Sequence, residues 1–379
     1  MKSREIIFYA PFGKGIPVEA IGGGEAGCLK TKDIYKKVLV VATSRKTRGG
    51  ITSVISAYES SSMWEAYKCR WIETHVDRCA VCKFIYFLKG LLTYIFVINS
   101  YDIIHIHTSE PPSAIRKCAF MAIAKLARKK TIVHFHSFSP DTTIKGKYSK
   151  LYKYLFSKAD KVIALSKMWK DYINDTFNLG DKVQVIYNPC TAQVSEKEYP
   201  KLKQILYAGT LNKRKGYSDL IKAFARIADK YPEWKLVFAG NGELEEATTL
   251  VKELGVDNQV EFLGWVSGEG KNKAFKESSV FCLPSHAEGF PMAVLDAWAY
   301  SLPVITTPVG GIPEFAIDGV NVLLFSPGDI VALSEKMEQI INDIKLRGKL
   351  IAQSSSLAKD LFSIEAVTRE MIKVYDNIN

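Results

Sequence analysis

The chain alternates short runs of apolar, often β-branched residues with longer segments of helical period. Twelve runs are predicted strands, and most are apolar at consecutive positions, as expected for parallel sheets covered on both faces. The first six are Lys37–Thr43, Lys68–Glu73, Asp102–His107, Lys130–His136, Lys161–Leu165 and Lys182–Tyr187. The second six are Gln204–Ala208, Trp234–Ala239, Val260–Leu263, Val280–Leu283, Pro303–Thr306 and Asn321–Phe325. Their alternation with helices predicts two doubly wound α/β units in tandem.

The spacing of these runs divides the 379 residues into five predicted segments, namely residues 1–36, 37–190, 191–203, 204–360 and 361–379. The first is an appended partial strand–helix opening, because the first α/β unit is already complete when it begins at Lys37. The second and fourth are Rossmann-like domains. The third is a linker, since Asn188–Pro200 contains two prolines and no periodicity. The last is a terminal helix.

Composition places the chain among folded proteins of a reducing compartment. Apolar residues make up 47% and charged residues 24%, which excludes wholesale disorder. The seven cysteines are odd in number and scattered, which argues against a disulfide framework. Cys79 and Cys82 form a CxxC pair, but no second pair completes a zinc site. The start of the chain does not match a cleaved signal peptide.

Positive charge is concentrated in the first half. Residues 1–200 hold 31 Lys and Arg against 17 Asp and Glu, a balance of +14. Residues 201–379 hold 20 against 23, a balance of −3. A basic half attracts nucleic acid, anionic lipid or phosphorylated substrates, and charge alone does not choose among them. A solvated basic face without a specific partner is the remaining alternative.

The most apolar stretch is Phe84–Ile98, which is too short for a membrane span of about 20 residues. With Lys83 and Lys89 beside its aromatic residues, it suits a helix lying in a membrane interface. It also suits a helix buried against a sheet. We favour core packing.

Two glycine motifs occur near the start of the chain. Gly22–Gly27 matches the GxGxxG dinucleotide fingerprint, but the preceding strand ends near Ala10, so the strand–turn–helix context is missing. We therefore predict no nicotinamide or flavin site there. Gly49 and Gly50 directly follow a strand and open a helix, which suits a phosphate near the helix N-terminus. A tight turn without a ligand is the alternative.

The second half contains three strand-end loops with candidate chemistry. Ala208–Gly216 ends a strand with three consecutive cations, which suits diphosphate binding. The loop Pro284–Pro291 carries Glu288, and Asp296 follows in the next helix. Carboxylates accept hydrogen bonds from sugar and ribose hydroxyls. Thr307–Glu314 is another glycine loop after a strand.

Together these residues resemble the family-4 glycosyltransferases of the GT-B fold, from about Lys37 to the C-terminus. The most specific matches are Glu288 to Asp296, which fits the family's E-x7-E element, and the sequence Val309–Glu314. The resemblance implies an α/β fold with two Rossmann-like, doubly wound domains facing across a cleft. The acceptor side comes first and the nucleotide-sugar side second, and the terminal helix crosses back to the first domain.

The resemblance also implies roles for individual residues. Glu288 and His136 contact the donor sugar, and Lys215 contacts the donor diphosphate. Asp296 stands where a glutamate usually binds the ribose, and Arg214 supplies the charge that the family usually places at Thr210. Further donor-side positions are Gly49, Gly50, Gly240, Asn241, Gly242, Val266, Gly289, Phe290 and Pro291. The acceptor-side positions are His107 and Ser109, and His107 fits a core histidine equally well.

The resemblance implies a retaining transferase that moves a sugar from a nucleoside-diphosphate sugar, with a UDP-sugar favoured, to a lipid-linked or saccharide acceptor. We expect no metal and no cofactor. The expected setting is bacterial surface polysaccharide synthesis by a cytoplasmic enzyme, peripheral on an anionic membrane surface. The alternatives are a GT-B nucleotide-sugar epimerase and an inactive nucleotide-sugar-binding protein. Nucleic acid is not an expected partner, because no recognised binding module is present.

Overall fold

The computed structural model describes residues 35–191 and 198–378. The predicted appended opening falls almost wholly outside the described residues. The Gly22–Gly27 motif and residues 192–197 of the predicted linker also lie outside them.

The first lobe is a parallel sheet of six strands with helices on both faces. Its strands are β1 (Val38–Ala42), β2 (Arg70–Glu73), β3 (Ile103–Thr108), β4 (Lys130–Phe135), β5 (Lys161–Ala164) and β6 (Val183–Val185). Its helices are α1 (Gly50–Glu59), α2 (Ser62–Ala66), α3 (Ala80–Val97), α4 (Pro111–Leu126), α5 (Ser149–Lys158) and α6 (Lys167–Phe177). The strand order is β2-β1-β3-β4-β5-β6.

The second lobe repeats this plan. Its strands are β7 (Gln204–Ala208), β8 (Lys235–Ala239), β9 (Val260–Gly264), β10 (Val280–Leu283), β11 (Val304–Thr306) and β12 (Leu323–Leu324), in the order β12-β11-β10-β7-β8-β9. Its helices are α7 (Tyr217–Ala225), α8 (Leu244–Glu253), α9 (Gly268–Glu277), α10 (Met292–Ala299), α11 (Ile330–Asn342) and α12 (Ile344–Asp360). The last helix of the chain is α13 (Ile364–Asn377).

All twelve predicted strands are present, and the two doubly wound lobes confirm the predicted fold class. Every residue of β1 and β3 is buried, since apolar clusters cover both faces of the first sheet. On one of these faces, α13 contributes to the apolar cluster, because its Val367, Met371 and Tyr375 pack with Val38 and Val40. The chain therefore returns from the second lobe to the first.

The core-packing interpretation of the apolar stretch Phe84–Ile98 holds for one side of the helix only. Gly90 and Tyr94 of α3 are buried against the first lobe. The opposite side of α3 leaves large apolar side chains exposed, with Phe96 at 83%. With the turn after α3, Ala80–Ser100 is also long and apolar enough to cross a membrane, by length and composition.

Candidate active site

Each sheet has a point at which the strand order reverses, where doubly wound folds bind ligands outside the carboxyl ends of their strands. This point lies between β1 and β3 in the first lobe and between β7 and β10 in the second. Gly49 and Gly50 follow β1, Lys215 follows β7 and Glu288 follows β10. The lobes meet nearby, because a Cβ built on Gly50 would lie 3.9 Å from Sδ of Met292.

Glu288 is the centre of the second-lobe site, with its side chain 8% exposed. Lys215 Nζ lies 2.5 Å from its Oε1, and Arg214 Nη1 lies 3.3 Å from its Oε2. Ser285 Oγ donates a hydrogen bond of 2.7 Å to Oε1. Burial alone would raise the pKa of Glu288, but Lys215 and Arg214 outweigh burial and lower it. Glu288 is therefore an ionised acceptor of hydrogen bonds.

Arg214 links this site to the first lobe. Its Nη1 donates a hydrogen bond of 2.6 Å to the carbonyl oxygen of Ala287, next to Glu288. Its guanidinium carbon lies 4.4 Å from the ring centroid of Phe138, in the loop after β4. Cation–π contacts of this kind orient a guanidinium. Glu110 fixes the same loop by accepting hydrogen bonds from Ser137 Oγ and Phe138 N.

The glycines of Val309–Glu314 and Gly289 allow tight packing around Glu288. Gly310 has a φ of 62°, and a Cβ there would lie 2.5 Å from the carbonyl oxygen of Glu288. Gly311 donates a backbone hydrogen bond of 2.9 Å to the carbonyl oxygen of Gly289. A Cβ on Gly289 would in turn overlap the carbonyl oxygen of Ser137 in the first lobe. Gly310 and Gly311 therefore pack directly against the backbone of the Glu288 loop, and Gly289 lets that loop approach the first lobe.

The first-lobe side of the cleft begins with the N-terminus of α1. Gly49 is its N-cap, with a φ of 153° and no atom within 4 Å of the Cβ position. No side chain caps this helix end, so its first backbone amides are available. An anion is favoured there by these amides and by the helix dipole.

His136 and His107 lie at the ends of β4 and β3 and share a hydrogen bond of 3.0 Å between His136 Nε2 and His107 Nδ1. Burial lowers the pKa of His136 to about 3 and that of His107 well below its usual range, so both rings are neutral. His107 is 1% exposed and stacks on His105. His107 is thus a core histidine that positions the His136 ring, and its acceptor-side role stays a prediction.

His105, His107 and His134 present ring nitrogens within 4.8 Å of one another. All three are buried, and His105 Nδ1 is hydrogen-bonded to the hydroxyl of Tyr375 at 2.8 Å. Burial lowers the pKa of each ring, so the cluster is uncharged. Neutral imidazoles are metal ligands, but no carboxylate belongs to this group.

Asp296 lies on α10, and its carboxylate is hydrogen-bonded to a lysine and to a backbone amide. Its carboxylate accepts hydrogen bonds from Lys271 Nζ at 2.6 Å and from the backbone N–H of Thr191 at 2.5 Å. Asp296 is 4% exposed, and both partners come from other segments, α9 and the start of the linker. Its assignment to the ribose stays a prediction.

The other predicted positions differ in what they contact. Gly240 and Gly242 bring two loops together, since a Cβ on either would overlap a carbonyl oxygen in the loop after β7. Asn241 belongs to the same turn, and its carbonyl accepts a hydrogen bond of 2.7 Å from Leu211 N. Phe290 is buried and stacks on Tyr187. The remaining positions lie in loops, namely Val266 after β9, Pro291 at the N-cap of α10 and Ser109 after β3.

Three further residues that pair with groups of the site or its motifs were not predicted from the sequence. Lys271 lies in a polar helix with no motif, so only the fold reveals its pairing with Asp296. Ser285 precedes Glu288 by three residues, and that spacing in a loop was the available signal. Glu314 was quoted only within a motif, yet its carboxylate accepts hydrogen bonds from Met168 N and Tyr187 Oη at 3.2 and 3.4 Å.

Two family models match consecutive parts of the chain. The model of Glycosyltransferase Family 4 matches residues 71–193, and that of Glycosyl transferases group 1 matches residues 191–356. Two uncharacterized glycosyltransferases of Methanocaldococcus jannaschii are 30% and 29% identical to the chain over 289 and 232 residues. These alignments cover 73% and 57% of this chain and 76% and 59% of the two relatives.

A Campylobacter jejuni relative is 29% identical over 199 residues, which are 51% of this chain and 54% of the relative. It is an alpha-1,4-N-acetyl-D-galactosaminyltransferase named for a saccharide on PP-undecaprenol. The chain thus spans less than two thirds of two of these three relatives.

Among solved structures, Anabaena HepE in complex with UDP and glucose matches with a TM-score of 0.71 at 16% identity. The match covers 90% of this chain and 100% of HepE, and at this identity it shows the fold alone. It confirms the GT-B arrangement of the two lobes. From the family models and the 30% identical relative together, the chain belongs to glycosyltransferase family 4.

Proposed function

We propose that this protein transfers a sugar from a nucleoside-diphosphate sugar to a lipid-linked or saccharide acceptor, with retention of anomeric configuration. A UDP-sugar is the favoured donor. The observation that carries the proposal is the ionised Glu288 with Lys215 and Arg214 around it, at the second-lobe switch point. The uncapped N-terminus of α1 in the first lobe approaches the second lobe at Met292, four residues after Glu288.

In the proposed reaction the bond between the sugar and the diphosphate breaks, and negative charge develops on the diphosphate. Lys215 and Arg214 stabilise that charge, together with the amides after Gly49. Electrostatic stabilisation of this kind needs no reorganisation, because the cations are already placed by Glu288 and Ala287. When donor binds, Lys215 is shared between the carboxylate and the diphosphate.

Glu288 and His136 hold the sugar in this proposal. The low pKa of Glu288 makes its carboxylate an acceptor for sugar hydroxyls. His136 is neutral and bound through Nε2 to His107, which leaves its Nδ1 for the sugar. The acceptor hydroxyl attacks from the side of the departing diphosphate, and a diphosphate oxygen takes the proton from that hydroxyl. The configuration at the anomeric carbon is thereby retained.

We propose that transfer requires no metal, because Lys215 and Arg214 supply the two positive charges at the leaving group. Activity in the presence of a chelator tests this directly. The cytoplasm is the proposed compartment, since the six cysteines among the described residues are free thiols. The C. jejuni relative named for an undecaprenol-linked acceptor supports the acceptor class, and the UDP complex of HepE supports the donor class.

Product analysis tests the proposal. The protein is incubated with UDP-sugars and, in parallel, GDP- and ADP-sugars, each with undecaprenyl-diphosphate saccharides and chelator. We expect one donor to give a glycosylated product whose new linkage has the donor's anomeric configuration by NMR. Inversion would contradict the retaining mechanism, and sugar rearranged without an acceptor would indicate an epimerase. Nucleotide binding without any turnover would indicate an inactive binding protein.

A further inference from the structure

Helix α3 is apolar on two opposite sides but is covered on only one. The covered side carries Gly90 and Tyr94, with Phe87 and Leu91 packed beside them. The uncovered side carries exposed side chains at positions three and four apart, namely Val81, Phe84, Ile85, Leu88, Leu92, Ile95 and Phe96. A helix that is apolar all round is normally enclosed by protein or lipid. The uncovered stripe therefore requires a partner.

The covered side attaches α3 firmly to the lobe. A Cβ on Gly90 would overlap the carbonyl oxygen of Glu73, so the helix backbone touches the end of β2. The Tyr94 hydroxyl donates a hydrogen bond of 3.0 Å to the carbonyl oxygen of Phe120 in α4. Crossing a membrane would break both contacts. The attached helix can instead lie flat on a surface with its stripe facing outward.

Positive charge borders the stripe. Lys89 lies on α3 beside Leu88 of the stripe, and α3 contains no acidic residue from Ala80 to Val97. Beside the helix, Arg70 and Lys89 line a recess of about 220 Å³ together with Trp71 and Tyr86. Glu73 also lines the recess, and its carboxylate is paired with Arg45 at 3.2 Å. Neither Arg70 nor Lys89 forms an ion pair within residues 35–191 and 198–378.

The recess and the stripe are continuous. Lys89 and Thr93 line the recess and also line an apolar groove formed with Phe84, Leu88, Leu92 and Phe96. Cationic and apolar surface thus meet along one helix, as in helices that lie at the boundary between lipid headgroups and acyl chains.

We propose that the outer face of α3 docks on an anionic bilayer leaflet. The apolar stripe enters the acyl boundary, and the recess at Arg70 and Lys89 receives a lipid phosphate. The proposal rests on α3 and its neighbours alone. It is tested without donor or acceptor, so its failure is distinguishable from failure of the proposed transferase activity.

Vesicle co-sedimentation of the full chain tests this docking, with phosphatidylcholine vesicles that contain or lack phosphatidylglycerol. We expect strong partition only with phosphatidylglycerol and weaker partition as salt rises. Leu92→Glu should reduce partition at least tenfold, and Lys89→Gln about fivefold, as expected for one basic residue near an anionic surface. The matched controls are Ile344→Glu, at an apolar side chain 73% exposed on the second lobe, and Lys252→Gln on α8.

Circular dichroism and the thermal midpoint show whether each variant is folded. If Leu92→Glu does not fold, Lys89→Gln provides the test. Three results of the vesicle experiment would overturn the proposal. These are no partition with phosphatidylglycerol, equal losses in the controls, and equal partition with and without phosphatidylglycerol. A dimer in sedimentation that Leu92→Glu dissociates, without vesicle binding, would assign the stripe to a second copy and also overturn it.

Discussion

Replacing Gly311 by Ala tests the inference that the glycine motif acts by supporting the Glu288 loop. The φ of Gly311 is −80°, so alanine suits its backbone. The new Cβ, however, would lie 2.0 Å from Cδ2 of Phe290 and 3.0 Å from Cβ of Ser166. The Phe290 ring has little room to move, because it stacks on Tyr187 and packs on Phe362. The residues just before Phe290, including Glu288, must therefore shift.

Overpacking of this kind costs about 1–3 kcal/mol in free energy of unfolding. For a lobe of this size, each kcal/mol lowers the thermal midpoint by about 2–4 °C. Displacement of a catalytic group by about 1 Å reduces the rate by up to ~100-fold. Sugar transfer and the thermal midpoint are measured on the same preparation, at a temperature where the variant remains folded.

Gly348→Ala is the matched control, because no atom lies within 4 Å of its Cβ position in α12. Alanine in a helix interior should stabilise this variant by about 0.5–1 kcal/mol and leave activity unchanged. Wild-type activity in Gly311→Ala would refute the supporting role of the motif. An equal loss of activity in Gly348→Ala would show that the assay reports general disturbance.

Three further experiments test single interactions or groups. Lys215→Met removes the cation beside Glu288 and should weaken nucleoside diphosphate binding ~10- to 100-fold in calorimetric titration. The reason is that hydrogen bonds to charged groups contribute about 1.5–3 kcal/mol. Unchanged affinity would place the diphosphate elsewhere. Lys271→Met leaves the buried Asp296 carboxylate without its cation and should cost about 3–5 kcal/mol in urea unfolding. Adding Asp296→Asn should recover much of that loss, and no recovery would contradict the pairing. Burial lowers the pKa of His105 to about 3, so below pH ~6.5 the unfolded state binds more protons than the folded state. The contribution of this residue to the free energy of unfolding should be full above that pH and fall below it by up to ~1.4 kcal/mol per pH unit. His105→Gln should therefore lose stability less steeply at acid pH, and an equally steep loss would contradict the role of His105.

The strands and the main site loops were predictable from local sequence. Buried parallel strands are consecutive apolar runs, so β1 and β3 stand out without any tertiary information. Glu288 and Lys215 lie in the segments that follow two strands, and strand ends of one parallel sheet meet at one edge. Their proximity therefore follows from topology.

Other features depend on contacts between distant segments. An apolar run such as α3 has the same pattern whether neighbours cover one side or both, so the sequence did not decide between a buried helix and one at a membrane interface. The pairing of Asp296 with Lys271 depends on how α9 packs against α10. The tight approach of Gly289 to Ser137 joins two lobes, and no local pattern encodes it.

The most direct test of the central claim is calorimetric titration of the wild-type protein with UDP, GDP and ADP, repeated on Lys215→Met. We expect one of these nucleotides, with UDP favoured, to bind at a single site, and we expect the substitution to weaken its binding at least tenfold. Absence of binding by all three to the folded wild-type protein would contradict the donor site at Glu288 and Lys215.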